Sequence, residues 1–80
     1  MKQYWPMAIA LDTNGEPIQL HTYDSCLSVE ACEKVFVLWQ DAYHYTLLST
    51  WIDTFDSNGT RMRPIRHKSY VNAIGQVRKI

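Results

Sequence analysis

LDTNGEPI, from Leu11 to Ile18, sets the register of this chain, and FDSNGTRM, from Phe55 to Met62, repeats its turn. Both centre on Asn-Gly, the pair that supplies positive φ at the two loop positions of a type I′ hairpin turn. Two hairpins are therefore predicted. With Asn14-Gly15 as a two-residue loop, Leu11 pairs with Ile18, Ile9 with Leu20 and Met7 with Thr22, which places five apolar residues on one face. Pro17 then falls in a non-hydrogen-bonded pair, where its missing N–H costs the ladder nothing. The second turn, counted the same way, pairs Phe55 with Met62, Ile52 with Ile65, Trp51 with Arg66 and Asp56 with Arg61. Pro64 would sit opposite Asp53 in a pair it cannot complete, so a bulge or break is expected there.

Between the hairpins the spacing changes from two to three and four. Ser28 suits an N-cap, Glu30 and Glu33 suit the first turns, and Val29, Cys32, Val35, Phe36, Trp39 and Tyr43 recur as one apolar stripe. A helix is predicted over about 28–41, with Val37 and Leu38 widening the stripe. Strands are expected at about 4–12, 17–23, 45–56 and 61–70. VNAIGQVRKI, from Val71 to Ile80, can form a short last helix over 72–79, capped by Asn72 and weakened by Gly75. The fold class is then α+β, a small single domain of hairpin, helix and hairpin (ββαββ) with a mostly antiparallel sheet. The two Asp-x-Asn-Gly turns lie 44 positions apart, and the same offset carries Ser28 onto Asn72. This reads as a repeat of a strand, strand, helix unit whose second copy is cut short, although such turns also arise independently.

Eighty residues allow one core, and 46% apolar with 20% charged residues matches a chain that folds. The longest uncharged run, Ala42 to Ile52, is far shorter than a membrane span requires, and the first residues lack a signal-peptide core and cleavage pattern. A cytoplasmic protein with no membrane partner is expected. Cys26 and Cys32 are too few for a disulfide framework and match no zinc spacing, so two reduced thiols are expected. Cys32 would fall in the first helical turn, where the dipole could favour a reactive thiolate; the plainer reading is a small buried apolar side chain.

The motifs of catalysis are missing. A calcium loop begun at Asp12 or Asp56 would need Glu at its twelfth position, which holds Tyr23 or His67. His21, His44 and His67 have no helix-ligand spacing, and there is no phosphate loop, Gly-x-Ser-x-Gly elbow or His-Glu-x-x-His. No catalytic residue, cofactor, metal or small-molecule substrate is expected, and the chain is read as not an enzyme.

Charge is distributed unevenly. Residues 1–60 hold two lysines against eight carboxylates, a net of −6, and residues 61–80 hold six basic side chains, a net of +6. Two partner classes follow. Eight of the ten aromatic residues are Tyr or Trp, whose polar tips suit surfaces that are apolar on one side and wet on the other. Trp39, Tyr43, Tyr45 and Trp51, around the helix exit and the next strand, are the expected contact cluster for a protein partner or a second copy. The competing reading is that two of these four close the core. The alternative function is nucleic-acid binding by Arg61, Arg63, Arg66 and Lys68. Strand alternation weakens it, since Arg61 and Arg63 would point to one face and Arg66 and Lys68 to the other.

The order strand, DTNG, strand, TYDSCLSVEACEKV, from Trp5 to about Trp39, resembles the hairpin-plus-helix units of the arm-type DNA-binding domains of phage integrases and of plant AP2 domains. That resemblance implies DNA-reading strands rich in basic residues; here they offer Gln19, His21 and no Arg, so no site residues carry over. The expected function is a non-catalytic binding or regulatory module acting through protein contacts, of the size of a small bacterial or phage accessory protein.

Overall fold

A computed structural model of the chain describes residues 1–66. It contains one helix and a four-stranded antiparallel sheet. The strands are β1 (Gln3–Leu11), β2 (Pro17–His21), β3 (Thr46–Phe55) and β4 (Ile65–Arg66), and the helix is α1 (Val29–Asp41). The sheet order is β2-β1-β3-β4, so β1 and β3 are central and α1 crosses between them. The expected helix over 72–79, and most of the expected strand over 61–70, lie outside the described residues or outside β4.

The turns differ from expectation, and the difference controls everything beyond them. Asp12 Oδ1 accepts from the amides of Asn14 at 2.8 Å and Glu16 at 2.9 Å. The Gly15 amide donates to the Asp12 carbonyl at 3.0 Å, and the Asp12 amide donates to Glu16 at 2.9 Å. The loop therefore has three residues, Thr13, Asn14 and Gly15, and only the glycine takes positive φ, at 80°. The aspartate side chain holds Asn14 in an ordinary turn conformation that a type I′ loop cannot use. Asp56 does the same for the second loop, accepting from Asn58 and Thr60 at 2.9 Å each, with Gly59 at φ 80°.

One extra loop residue shifts the pairing by one and turns a strand over. Leu11 faces Pro17, Ala10 faces Ile18 and Ala8 faces Leu20. Leu11 and Ile18 thus lie on opposite sides of the ribbon, and the expected Leu11, Ile9 and Met7 face is not the core face. The core contains Ala8, Ala10, Cys32, Phe36, Trp39, Leu47 and Ile52, with Ile18 and Leu20 packed against it. Burying a large apolar side chain of this kind stabilises by roughly 1.5–3 kcal/mol. The small β1 side chains let the helix approach closely, and its bulk is supplied by Phe36 and Trp39, whose rings meet at 5.9 Å and 52°.

The helix begins where Ser28 Oγ accepts from the Ala31 amide at 3.1 Å. Its buried residues are Cys32, Phe36, Trp39 and Gln40, whereas Val37 and Leu38 are exposed. The stripe is therefore narrower than the sequence pattern suggested, because a single sheet face covers only one side of a helix. At its end His44 takes a positive φ of 60°, while the Tyr43 and Tyr45 amides donate back to Leu38 and Trp39.

Prolines stand at ladder ends. Pro17 pairs with Leu11 at the start of β2. Pro6 is fully buried in β1 and pairs with Ile52 of β3. On its other side the β1–β2 ladder has already ended at Met7 and His21, and β1 next meets Cys26 through two backbone bonds with Tyr4. Pro64 lies in the break between the Phe55–Arg61 bridge and β4. Among the described residues no helix is long and apolar enough to cross a membrane.

Candidate functional site on the uncovered sheet face

The helix covers one face of the sheet. Alternation sends Gln3, Trp5, Met7, Ile9 and Leu11 to the other face, opposite Phe55, Asp53, Trp51 and Ser49 of β3. A bulge near Ile9 and Ala10 accommodates one extra β3 residue, Leu48, which is exposed. Ile9 is 44% exposed, and Trp5, Trp51 and Phe55 on the same face are partly buried. β1 is thus apolar on both faces, with small residues toward the helix and large ones away from it.

One end of this face is concave. A groove of about 510 Å³ is lined by Gln3, Trp5 and Met7 of β1, by His21, Thr22 and Tyr23 where β2 ends, and by Asp53 and Phe55 of β3. The His21 and Tyr23 rings meet edge to face at 6.4 Å. Asp53 stands across the ladder from Trp5, and its side chain is only 12% exposed. From the β4 side Arg61 reaches it through one contact, Nη2 to Oδ2 at 3.6 Å, and stays 66% exposed. The same guanidinium lies 5.6 Å from the Phe55 ring centre, and that of Arg66 lies 5.9 Å from Trp51.

The residues expected for a protein contact separate. Trp39 is 7% exposed and belongs to the core. Tyr43 and Tyr45 stack at 6.1 Å by the helix exit, Tyr43 exposed and Tyr45 packed against the core. Trp51 lies on the uncovered sheet face, so the four do not form one cluster.

The basic residues come together more than alternation suggested. Arg61 and Arg66 both lie over aromatic rings of the uncovered face, whereas opposite orientations were expected. The cause is a one-residue slip: four steps along β3, from Trp51 to Phe55, face five along the returning chain, from Arg61 to Arg66. Met62 to Pro64 absorb the extra residue, and the Phe55–Met62 pairing is replaced by Phe55–Arg61. Arg63 is exposed, its carbonyl accepting from Thr54 Oγ1 at 3.2 Å. Lys68 lies outside the described residues.

The Cys32 thiol shows no activation. Cys32 is buried in the first helical turn, and its pKa is pushed up from 9.0 to about 12, first by burial, then by the neighbouring Cys26 thiol and by Glu33. Loss of water disfavours the thiolate there, in agreement with the plainer expectation of a small buried apolar side chain. Among the described residues no group of three His, Cys, Asp or Glu side chains could hold a metal ion.

Trp5, Met7, His21, Asp53 and Phe55 were not singled out from the sequence. The signal that could have found them is QYWPMAIAL itself, nearly all apolar, a pattern proper to a strand that meets neighbours on both faces. Comparison with family models, with curated proteins and with solved structures found no match to this chain.

Proposed function

We propose that this chain is a non-catalytic binding module that holds a protein partner on the uncovered face of its sheet. One observation carries the reading: the large apolar side chains Trp5, Met7, Ile9, Leu11, Trp51 and Phe55 occupy the face that, among the described residues, no helix covers. Ile9 is exposed and the other five are partly buried, and a partner that covers the face gains the free energy of burying what remains in water. The two free thiols suit a reducing, cytoplasmic setting. The working unit is read as a hairpin, helix and hairpin (ββαββ) arrangement.

The test is affinity capture from extracts of the source cell with three baits: wild type, Met7→Glu on the open face, and Val37→Glu on the exposed side of α1. A protein retained by wild type and Val37→Glu but lost from a folded Met7→Glu supports the reading. Equal capture by all three overturns it. Light scattering of the isolated chain then shows whether the partner is a second copy.

A second reading is favoured by the placement of Arg61 and Arg66 over Phe55 and Trp51, since basic groups beside exposed rings suit single-stranded nucleic acid. Asp53 within the same face and the carboxylates of residues 1–60 oppose it. A mobility-shift assay at two salt concentrations decides, because phosphate contacts make binding steeply salt-dependent.

A further inference from the structure

The groove at the end of the uncovered face has an unusual combination of walls. Trp5, Phe55, His21 and Tyr23 contribute four rings, and Asp53 is the one carboxylate among the lining residues. Arg61 approaches Asp53 from the β4 side, whereas six of the eight lining residues belong to β1 and the end of β2.

Resting on the reading that this face binds a protein, we propose that the groove takes a cationic side chain of the partner, a lysine or arginine in an extended segment, seated on Asp53 between Trp5 and Phe55. Ring faces carry negative potential and attract cations, and the apolar lining accommodates the methylene stem. A neutral apolar occupant would strip the remaining water from Asp53 and leave it, among the described residues, one 3.6 Å ionic contact. An anionic occupant would meet like charge at short range. The chain displays the fit itself, because the Arg61 guanidinium already combines contact with Asp53 and a place over Phe55. Arg61 is then an internal competitor for the carboxylate, and weakening that competitor strengthens binding.

The probe is Nα-acetylarginine methylamide, titrated into the isotope-labelled full chain and followed by nuclear magnetic resonance. Its uncharged isostere, Nα-acetylcitrulline methylamide, and a short oligothymidine are run at matched ionic strength. The arginine probe is expected to move the signals of Trp5, Asp53 and Phe55, with citrulline at least about tenfold weaker. Asp53→Asn should reduce the arginine probe to the citrulline level, and Arg61→Gln should tighten it about two- to fivefold. Equal binding of arginine and citrulline, an unaltered affinity in a folded Asp53→Asn, or a response to oligothymidine alone overturns the proposal. The two readings fail separately. Partner capture that is lost from Met7→Glu, without arginine selectivity, removes the cation site and keeps the protein-binding face; arginine selectivity without such capture does the reverse.

Discussion

From Pro6 to Leu11 the two faces of β1 invert the usual relation between side-chain size and burial. Toward the helix β1 presents Pro6, Ala8 and Ala10, and away from it the same strand presents Trp5, Met7, Ile9 and Leu11. The small set is buried because α1 brings its own bulk in Phe36 and Trp39 and needs room to approach. Among the described residues no element covers the large set. Hydrophobicity alone is therefore a poor guide to the core in a domain whose sheet has two apolar sides; close packing against the helix decides which one it is.

The sharpest way to break this comparison is to delete the same ring from each side. Phe36→Ala should cost about 3–5 kcal/mol in urea unfolding, as expected for a fully buried phenylalanine. Phe55→Ala, on the open face, should cost only about 1–2 kcal/mol, because its ring is only partly buried. Equal losses would mean that the open face is covered in the isolated protein.

Enlargement gives a smaller contrast. Ala8→Leu inserts bulk between β1 and α1 and should cost about 1–3 kcal/mol, whereas Ile9→Leu on the other face should stay within about 0.5 kcal/mol. Thermal unfolding of the pair measures the difference. The turns that set which face is which come next. Gly15→Ala and Gly59→Ala should each cost about 1–2 kcal/mol, because φ of 80° is unfavourable for an L side chain even where space is free. Unequal costs would show that the two loops are not equivalent.

The smallest expected effect at neutral pH concerns the thiol under the covered face. Cys32 should resist alkylation by iodoacetamide at pH 7 in the folded protein and react after unfolding. Its folded pKa lies above its unfolded one, so its contribution to stability is intact below about 9 and is lost as pH rises from 9.0 to about 12. Unfolding midpoints compared between wild type and Cys32→Ala across that window check the sign.

Much of the architecture was legible. Ser28, the glutamates after it and the three-and-four spacing announced a helix, and the two Asn-Gly pairs announced chain reversals, because those signals depend on neighbours in sequence. What the sequence concealed depended on one count. Asp12 and Asp56 each turn a two-residue loop into a three-residue one, and that single added residue moved β1 to its other face and took the groove with it. Arg61 was misassigned by the same extra loop residue, which sets it opposite Phe55 instead of Asp56, while a compensating slip near Pro64, where a break was expected, leaves Arg66 opposite Trp51 as the pairing count required. The contact cluster failed differently: Trp39 and Trp51 are close in sequence, yet helix and strand geometry send them to opposite sides of the sheet.

Pro6 has an influence out of proportion to its size. Lacking a hydrogen to donate, it gives a neighbouring strand nothing to hold at its outer edge, and the backbone that follows His21 departs there before rejoining at Cys26. Thr22 and Tyr23 fall within that detour and border the groove beside Trp5 and Met7. An absent amide proton in β1 thus marks the point at which the ladder gives way to the groove's rim.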